Sequence, residues 1–242
     1  MFSKNQSILC ALNFFLKRKN KFIVLGYEEY KLSEKNKEEF MAKKRVRLYT
    51  RQNDKTLYAL EKKGRIINER MYVKLHFGPD ADLFLESYDW FTKEASKRLP
   101  KPEDVTAPIW CSISAVGCLK AIENTVVYVL EVPEDQVIYF DNLKWDHILN
   151  RIYLPKDKED EKAYEEHLKK IGVKDGFSFF VGKYKGKYPE EERRIRDSWI
   201  RAFDIDNWSP FEVSGNLWEI KKEWVKRIVY PGESVPGDEE VL

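Results

Sequence analysis

The sequence predicts an α+β fold: a mixed or antiparallel sheet with helices packed around it, in one domain. Three observations predict it. Short runs rich in β-branched and aromatic residues, with strand-like patterning, recur at 46–50, 125–132 and 137–140. Apolar residues spaced three or four apart recur between and after them, at 83–99 and 189–203. No linker-like composition and no repeat divides residues 41–231.

Taken in order, Val46-Arg47-Leu48-Tyr49-Thr50 alternates as a strand. Asn53 or Asp54 can cap a helix over 55–63, with Leu57 and Leu60 on one face and Gly64 as the stop. The next helix, 83–99, carries Phe84, Tyr88, Phe91 and Ala95 on its inner face and ends at Pro100 and Pro102. Pro108 opens a short apolar segment, 109–113. Residues 125–132 form a strand apolar on both faces, Pro133-Glu134-Asp135 makes a turn, and 137–140 returns as a further strand. Asp141 caps a helix over 144–150. Residues 156–170 are a surface helix with Tyr164, Leu168 and Ile171 as its apolar stripe, stopped at Gly172. Pro189 starts a helix to about 203 with Ile195, Trp199 and Ala202 or Phe203 inward. A late strand covers 216–220, a helical turn begins at 223, and a last strand ends at Tyr230. The tail, 232–242, is rich in Pro, Gly and acid and reads as mobile.

Composition removes several classes. With 35% charged and 43% apolar residues the 242-residue chain is globular in character, and disorder throughout is excluded. A net charge of +2 gives no global pull toward nucleic acid or acidic partners. Three cysteines, Cys10, Cys111 and Cys118, form no disulfide framework and imply a reducing, cytoplasmic setting. His76, His147 and His167 lack zinc spacing, so no metal is expected and each reads as a surface or packing residue. The apolar run 8–16 is interrupted by Asn13, is about half of the ~20 residues that span a bilayer, and is followed by Lys17-Arg18-Lys19. No membrane helix and no signal peptide is read there.

Residues 1–40 differ from the rest. They show little periodicity, and Met41 leads directly into the first strand. Codons for Lys37-Glu38-Glu39 can spell a ribosome-binding sequence at a workable distance from Met41. Two readings follow: a translated leader that is not part of the native protein, or a helical or strand-bearing arm.

From residue 46 to 230 the chain resembles a family of bacterial and phage proteins known as a domain of unknown function, number three-eight-four-one. The words that carry the resemblance are Leu48-Tyr49-Thr50-Arg51-Gln52, Tyr88-Asp89-Trp90, Pro108-Ile109-Trp110 and Phe140-Asp141 with Trp145, Leu149-Asn150 and Tyr153-Leu154. They continue with Ser198-Trp199, Phe203-Asp204 and Leu217-Trp218-Glu219-Ile220. This chain departs in having Tyr49 where the family has tryptophan, and in placing Asp146 between Trp145 and His147. The resemblance implies no activity, and a setting in a phage or mobile element.

A second resemblance, to the ADP-ribosyltransferase-like fold, implies chemistry. Such enzymes open on a strand with a polar residue that grips NAD, followed by a helix ending in Gly, a short strand with Ser or Thr, and a late strand with a glutamate. Thr50 and Gln52, Gly64, Ser112 and Glu219 are the looks-like equivalents, with Tyr49, Tyr88 or Trp110 to stack on nicotinamide. Loss of nicotinamide builds positive charge on the ribose, which a nearby carboxylate stabilises. The first strand of such folds bears His or Arg, and Thr50 is neither. In an alternating strand, Glu219 also reads as a solvent-facing residue.

The competing reading is a non-catalytic module that binds a host protein or nucleic acid. Lys183, Lys185 and Lys187 are interleaved with aromatics, and Arg193, Arg194 and Arg196 follow. A β-hairpin with solvated lysines and half-buried rings explains the same pattern. Asp204-Ile205-Asp206-Asn207 lacks the Gly and terminal Glu of a calcium loop. The tryptophans mostly match core faces, with Asp89, Ser112, Asp141 and Asn150 beside them needing hydrogen bonds.

Overall fold

A computed structural model of the chain describes residues 44–78 and 81–237, with His76 and Leu83 described by backbone alone. The two readings of residues 1–40 and the end of the tail lie outside these residues. Within the described part of the tail, Pro236 is buried and Val235 rests against a core cluster.

β1 (Arg45–Asn53) pairs along its length with β4 (Thr125–Pro133), from Arg45↔Pro133 to Asn53↔Thr125. β8 (Val225–Val229) lies on the far side of β4, with a register shift at Val129/Leu130. On the other side of β1 come β3 (Ile109–Ser112), β6 (Val213–Leu217) and β5 (Ile138–Asp141). The six-stranded order is β5-β6-β3-β1-β4-β8, antiparallel at every pairing. β2 (Arg65–Ile67) and β7 (Glu219–Lys221) form a separate two-stranded sheet.

The helices are α1 (Thr56–Lys63), α2 (Arg70–Phe77), α3 (Ala81–Ser96), α4 (Asn142–Leu149), α5 (Lys158–Lys170) and α6 (Pro189–Ser198), the last continuing as a 3₁₀ turn to Phe203. Strand alternation sends Leu48, Ile109, Tyr128 and Leu130 into one cluster, closed by Leu60 of α1, Ile66 of β2 and Ile220 of β7. Tyr49, Val127, Val129 and Val229 enter another, where the chain around Ala121 lies. The largest cluster is aromatic and joins Phe91, Phe140, Trp145, Phe179 and Trp199, with α5 adding Tyr164 and Leu168. Trp199 and Phe91 are completely buried, so these rings are packing, as their helical spacing requires.

Most elements stand where the pattern puts them, α1 differs only in its cap, and three others differ in pairing or form. Helix α1 is entered through Lys55; Asn53 acts one step earlier, its side-chain oxygen accepting from the Lys55 N–H. Strand β5 does not pair with β4 but crosses to the opposite edge of the sheet, onto β6. The late strand is two strands of different sheets, divided at Trp218, whose indole N–H donates to the Leu99 carbonyl at 2.9 Å. The Lys- and aromatic-rich segment is not a hairpin. It coils through 3₁₀ turns at Gly176–Phe179 and Gly182–Tyr184, with Gly182 and Gly186 at positive φ. Trp208, read with the core tryptophans, is 62% exposed.

Candidate functional site

The six-stranded sheet consists of two three-stranded halves, β8-β4-β1 and β3-β6-β5, joined at one seam. Among the described residues the register across that seam pairs Tyr49 with Ser112 and goes no further. Past Tyr49, β1 stays with β4 while β3 stays with β6, so the strands separate. Side chains take over from the backbone ladder at that point. The Thr50 hydroxyl donates to the Trp110 carbonyl at 2.7 Å and accepts from the Gln52 amide at 2.8 Å. Ser112 donates to the Gly117 carbonyl at 2.9 Å, which holds the loop after β3 beside the opening.

A cleft of about 560 Å³ occupies the seam. Its floor is Tyr49, Thr50, Gln52, Trp110, Cys111 and Ser112 from β1 and β3. Tyr88 of α3 and Trp145 of α4 supply aromatic walls. Their rings meet edge to face at 5.2 Å, and Trp110 stacks on Trp145 at 4.8 Å with 28° between planes. Asn68, Tyr72, Val73 and Phe77, on and just before α2, extend that lining, with the Phe77 ring 5.8 Å from Tyr88. Arg70 fixes that helix to α3 by two hydrogen bonds to the Asp89 carboxylate, at 2.7 and 2.8 Å. Gly117, Cys118 and Leu119 close one side, and Asn142, Asp146 and Ser214 another.

The electrostatics of the cleft are sparse. Arg51 is its cation, and Asp146 is the carboxylate among its described lining residues. Burial pushes the Tyr88 hydroxyl up to about 12, so it stays protonated and able to donate. Burial also raises both thiols: Cys118 to about 11 despite nearby Arg51, and Cys111 further. These cysteines are held as thiols, poor nucleophiles at neutral pH.

The structure therefore brings together six residues singled out from sequence, Tyr49, Thr50, Gln52, Tyr88, Trp110 and Ser112. It does not bring Glu219 to them. The break at Trp218 puts Glu219 on the small sheet opposite Ile67, where its carboxylate accepts from Arg65 at 2.9 Å and lies 3.5 Å from the Lys221 ammonium. Gly64, the remaining sequence equivalent, is the left-handed stop of α1 at φ 69° and does not line the cleft.

The basic strip is arranged differently from a base-stacking platform. Lys183, Lys185 and Lys187 are exposed, but Phe179 and Phe180 are buried, and Tyr184 and Tyr188 pack on the aromatic core. Arg193 pairs with Glu190, and Arg194 sits over the rings of Tyr153 and Tyr164 at 5.3 and 4.9 Å. The acidic 204–207 segment is organised around an ammonium: Lys144 donates to the Asp204 carbonyl at 2.6 Å and the Asp206 carboxylate at 2.7 Å. Asp89, Ser112, Asp141 and Asn150 are each satisfied locally, by Arg70, Gly117, the Lys144 N–H and the Asp146 carbonyl.

Sequence reading missed the wall formed by α2 and missed Asp146. The first has a weak signal, since residues 65–77 alternate poorly and α2 has no side-chain cap. The second had one: Asp146 interrupts the Trp145–His147 spacing at the point where α4 borders the cleft. A family model with the description "Domain of unknown function (DUF3841)" matches residues 47–226. No curated protein and no solved structure matches the chain.

Proposed function

The chain belongs to the domain-of-unknown-function family DUF3841, and from the cleft at its sheet seam we propose that it binds a ring-bearing nucleotide there, NAD first among them, and acts as an ADP-ribosyltransferase-like enzyme. One observation carries the reading. Three chain-distant segments, Tyr49 to Gln52, Tyr88 and Ser112, converge on a single cleft with aromatic walls and a polar floor. Separated strands suit such a ligand, because they leave room between β1 and β3 for a flat ring beside polar side chains. The Tyr88 hydroxyl has no partner among the described residues and remains a donor across the physiological range.

The reaction is displacement at the ribose C1′ of NAD. The C–N glycosidic bond breaks and its electron pair leaves with nicotinamide. A nucleophile, water or an acceptor side chain, forms the new bond to C1′ and gives up its proton to solvent. Aromatic walls hold the ring in place and exclude water from its faces.

The test is thermal unfolding with NAD, nicotinamide and ADP-ribose, followed by assay of nicotinamide release. Ligand at about 100 times its Kd stabilises by roughly 2.7 kcal/mol. The expected result is a concentration-dependent rise in Tm with NAD. An unchanged Tm at millimolar NAD, with no release of nicotinamide, rejects the reading.

A further inference from the structure

The geometry points to Asp146 as the carboxylate that contacts the ribose of the nucleotide. The inference rests on the proposed NAD reading and deepens it, since Glu219 lies outside the cleft and is held by Arg65 and Lys221.

Four observations carry it. First, Asp146 is the carboxylate among the described residues lining the cleft. Second, its side chain makes no hydrogen bond or ion pair among the described residues; the helix uses only its backbone carbonyl, which accepts from the Asn150 side chain at 2.8 Å. The fold does not consume this charge, in contrast to Asp141, Asp160 and Asp206, whose carboxylates are engaged. Third, α4 fixes where it sits. Trp145 is 5% exposed and stacked on Trp110, which sets the rotation of the helix. Asp146 follows it at the border of the cleft, and Asn142, one turn earlier on the same face, lines the cleft too. Fourth, an amide and a carboxylate one helical turn apart match a vicinal diol: the carboxylate accepts from hydroxyls, and the amide both donates and accepts.

Chemically, a carboxylate beside the ribose does two things. It accepts hydrogen bonds from the 2′- and 3′-hydroxyls, and it stabilises the positive charge that grows on the sugar as the nicotinamide bond breaks. The only other formal charge in the described lining, Arg51, has the wrong sign for either role.

The experiment compares wild type, Asp146→Asn and Glu219→Gln by calorimetric titration with NAD and with nicotinamide alone, together with nicotinamide release. Asp146 is exposed and its replacement isosteric, so the variant keeps the fold, which the far-UV spectrum checks. The expected outcome is that Asp146→Asn weakens NAD by about tenfold or more, the range of a lost charge-assisted hydrogen bond. Nicotinamide, which has no ribose, binds both proteins alike, and release falls with Asp146→Asn but not with Glu219→Gln. NAD binding to wild type and Asp146→Asn with equal affinity and equal release overturns the inference while leaving the nucleotide reading intact. Loss of release in Glu219→Gln alone overturns it as well. Failure of NAD to bind wild type removes both.

Discussion

At the scale of single residues, position relative to the seam decides what a side chain can do. Glu219 and Asp146 are both acids next to a tryptophan, and sequence singles out the former as the late-strand glutamate that the ADP-ribosyltransferase-like resemblance implies, with 216–220 read as one strand. The anchoring of Trp218 to Leu99 breaks that strand, a long-range contact that no local pattern encodes. Tyr88 was legible, since it falls on the inner face of α3, and it carries a test of its own. Its hydroxyl is raised to about 12 by burial, against about 10 in an unfolded chain. Between those values the unfolded chain has released the proton and the folded one has not. This contribution to stability is therefore full below about pH 10 and is lost as pH rises toward 12. Tyr88→Phe removes its share, up to about 2–3 kcal/mol of the alkaline loss. Urea titrations at pH 8 and at pH 11 check it: the gap between the two is smaller in the variant. An equal gap in both proteins shows that Tyr88 titrates normally.

At the scale of elements, α4 links local chemistry to the site. Asp141 was readable as its cap, and the side chain accepts from the Lys144 N–H at 3.0 Å. The helix has eight residues, too few to be stable alone, so its cap and the burial of Trp145 and Ile148 hold it in place. Asp141→Ala should destabilise the protein by about 1 kcal/mol. Because α4 presents Trp145, Asn142 and Asp146 to the cleft, the same change should weaken nucleotide binding more than Glu190→Ala, a surface change on α6. Denaturant midpoints and NAD titrations on the two variants measure both effects, and equal affinities would separate the cap from the site. Capped, strongly periodic elements were legible in this way: α1 by its Gly64 stop, α3, α5 and α6 by their stripes, β1 and β4 by their β-branched runs. The wall of the cleft was not. β2 is three residues long and exists through its pairing with β7, some 150 residues away, and α2 has neither a cap side chain nor a fully apolar stripe.

At the scale of the whole molecule, the feature least visible in sequence is the seam. Pairing order follows from contacts between distant segments, and β1 sits between β3 and β4 although α1, α2 and α3 separate it from both in the chain. No helix among the described residues is long and apolar enough to cross a membrane, and the aromatic cluster is buried within the fold. The two halves are unequal in protection. β4 is buried from Val126 to Leu130 and is paired on both sides, whereas the seam pairs only Tyr49 with Ser112 among the described residues. Amide exchange should follow this difference. The amides of 126–130 should exchange at the rate of global unfolding, and those of 50–52 and 110–112 that face the opening should exchange faster, through local separation of the halves. A nucleotide lodged between the halves must oppose that separation. NAD should therefore slow exchange selectively at 50–52 and 110–112, with a smaller effect at 126–130. Uniform slowing would mean that the ligand reports only global stability, and no slowing at the seam would place it elsewhere on the molecule.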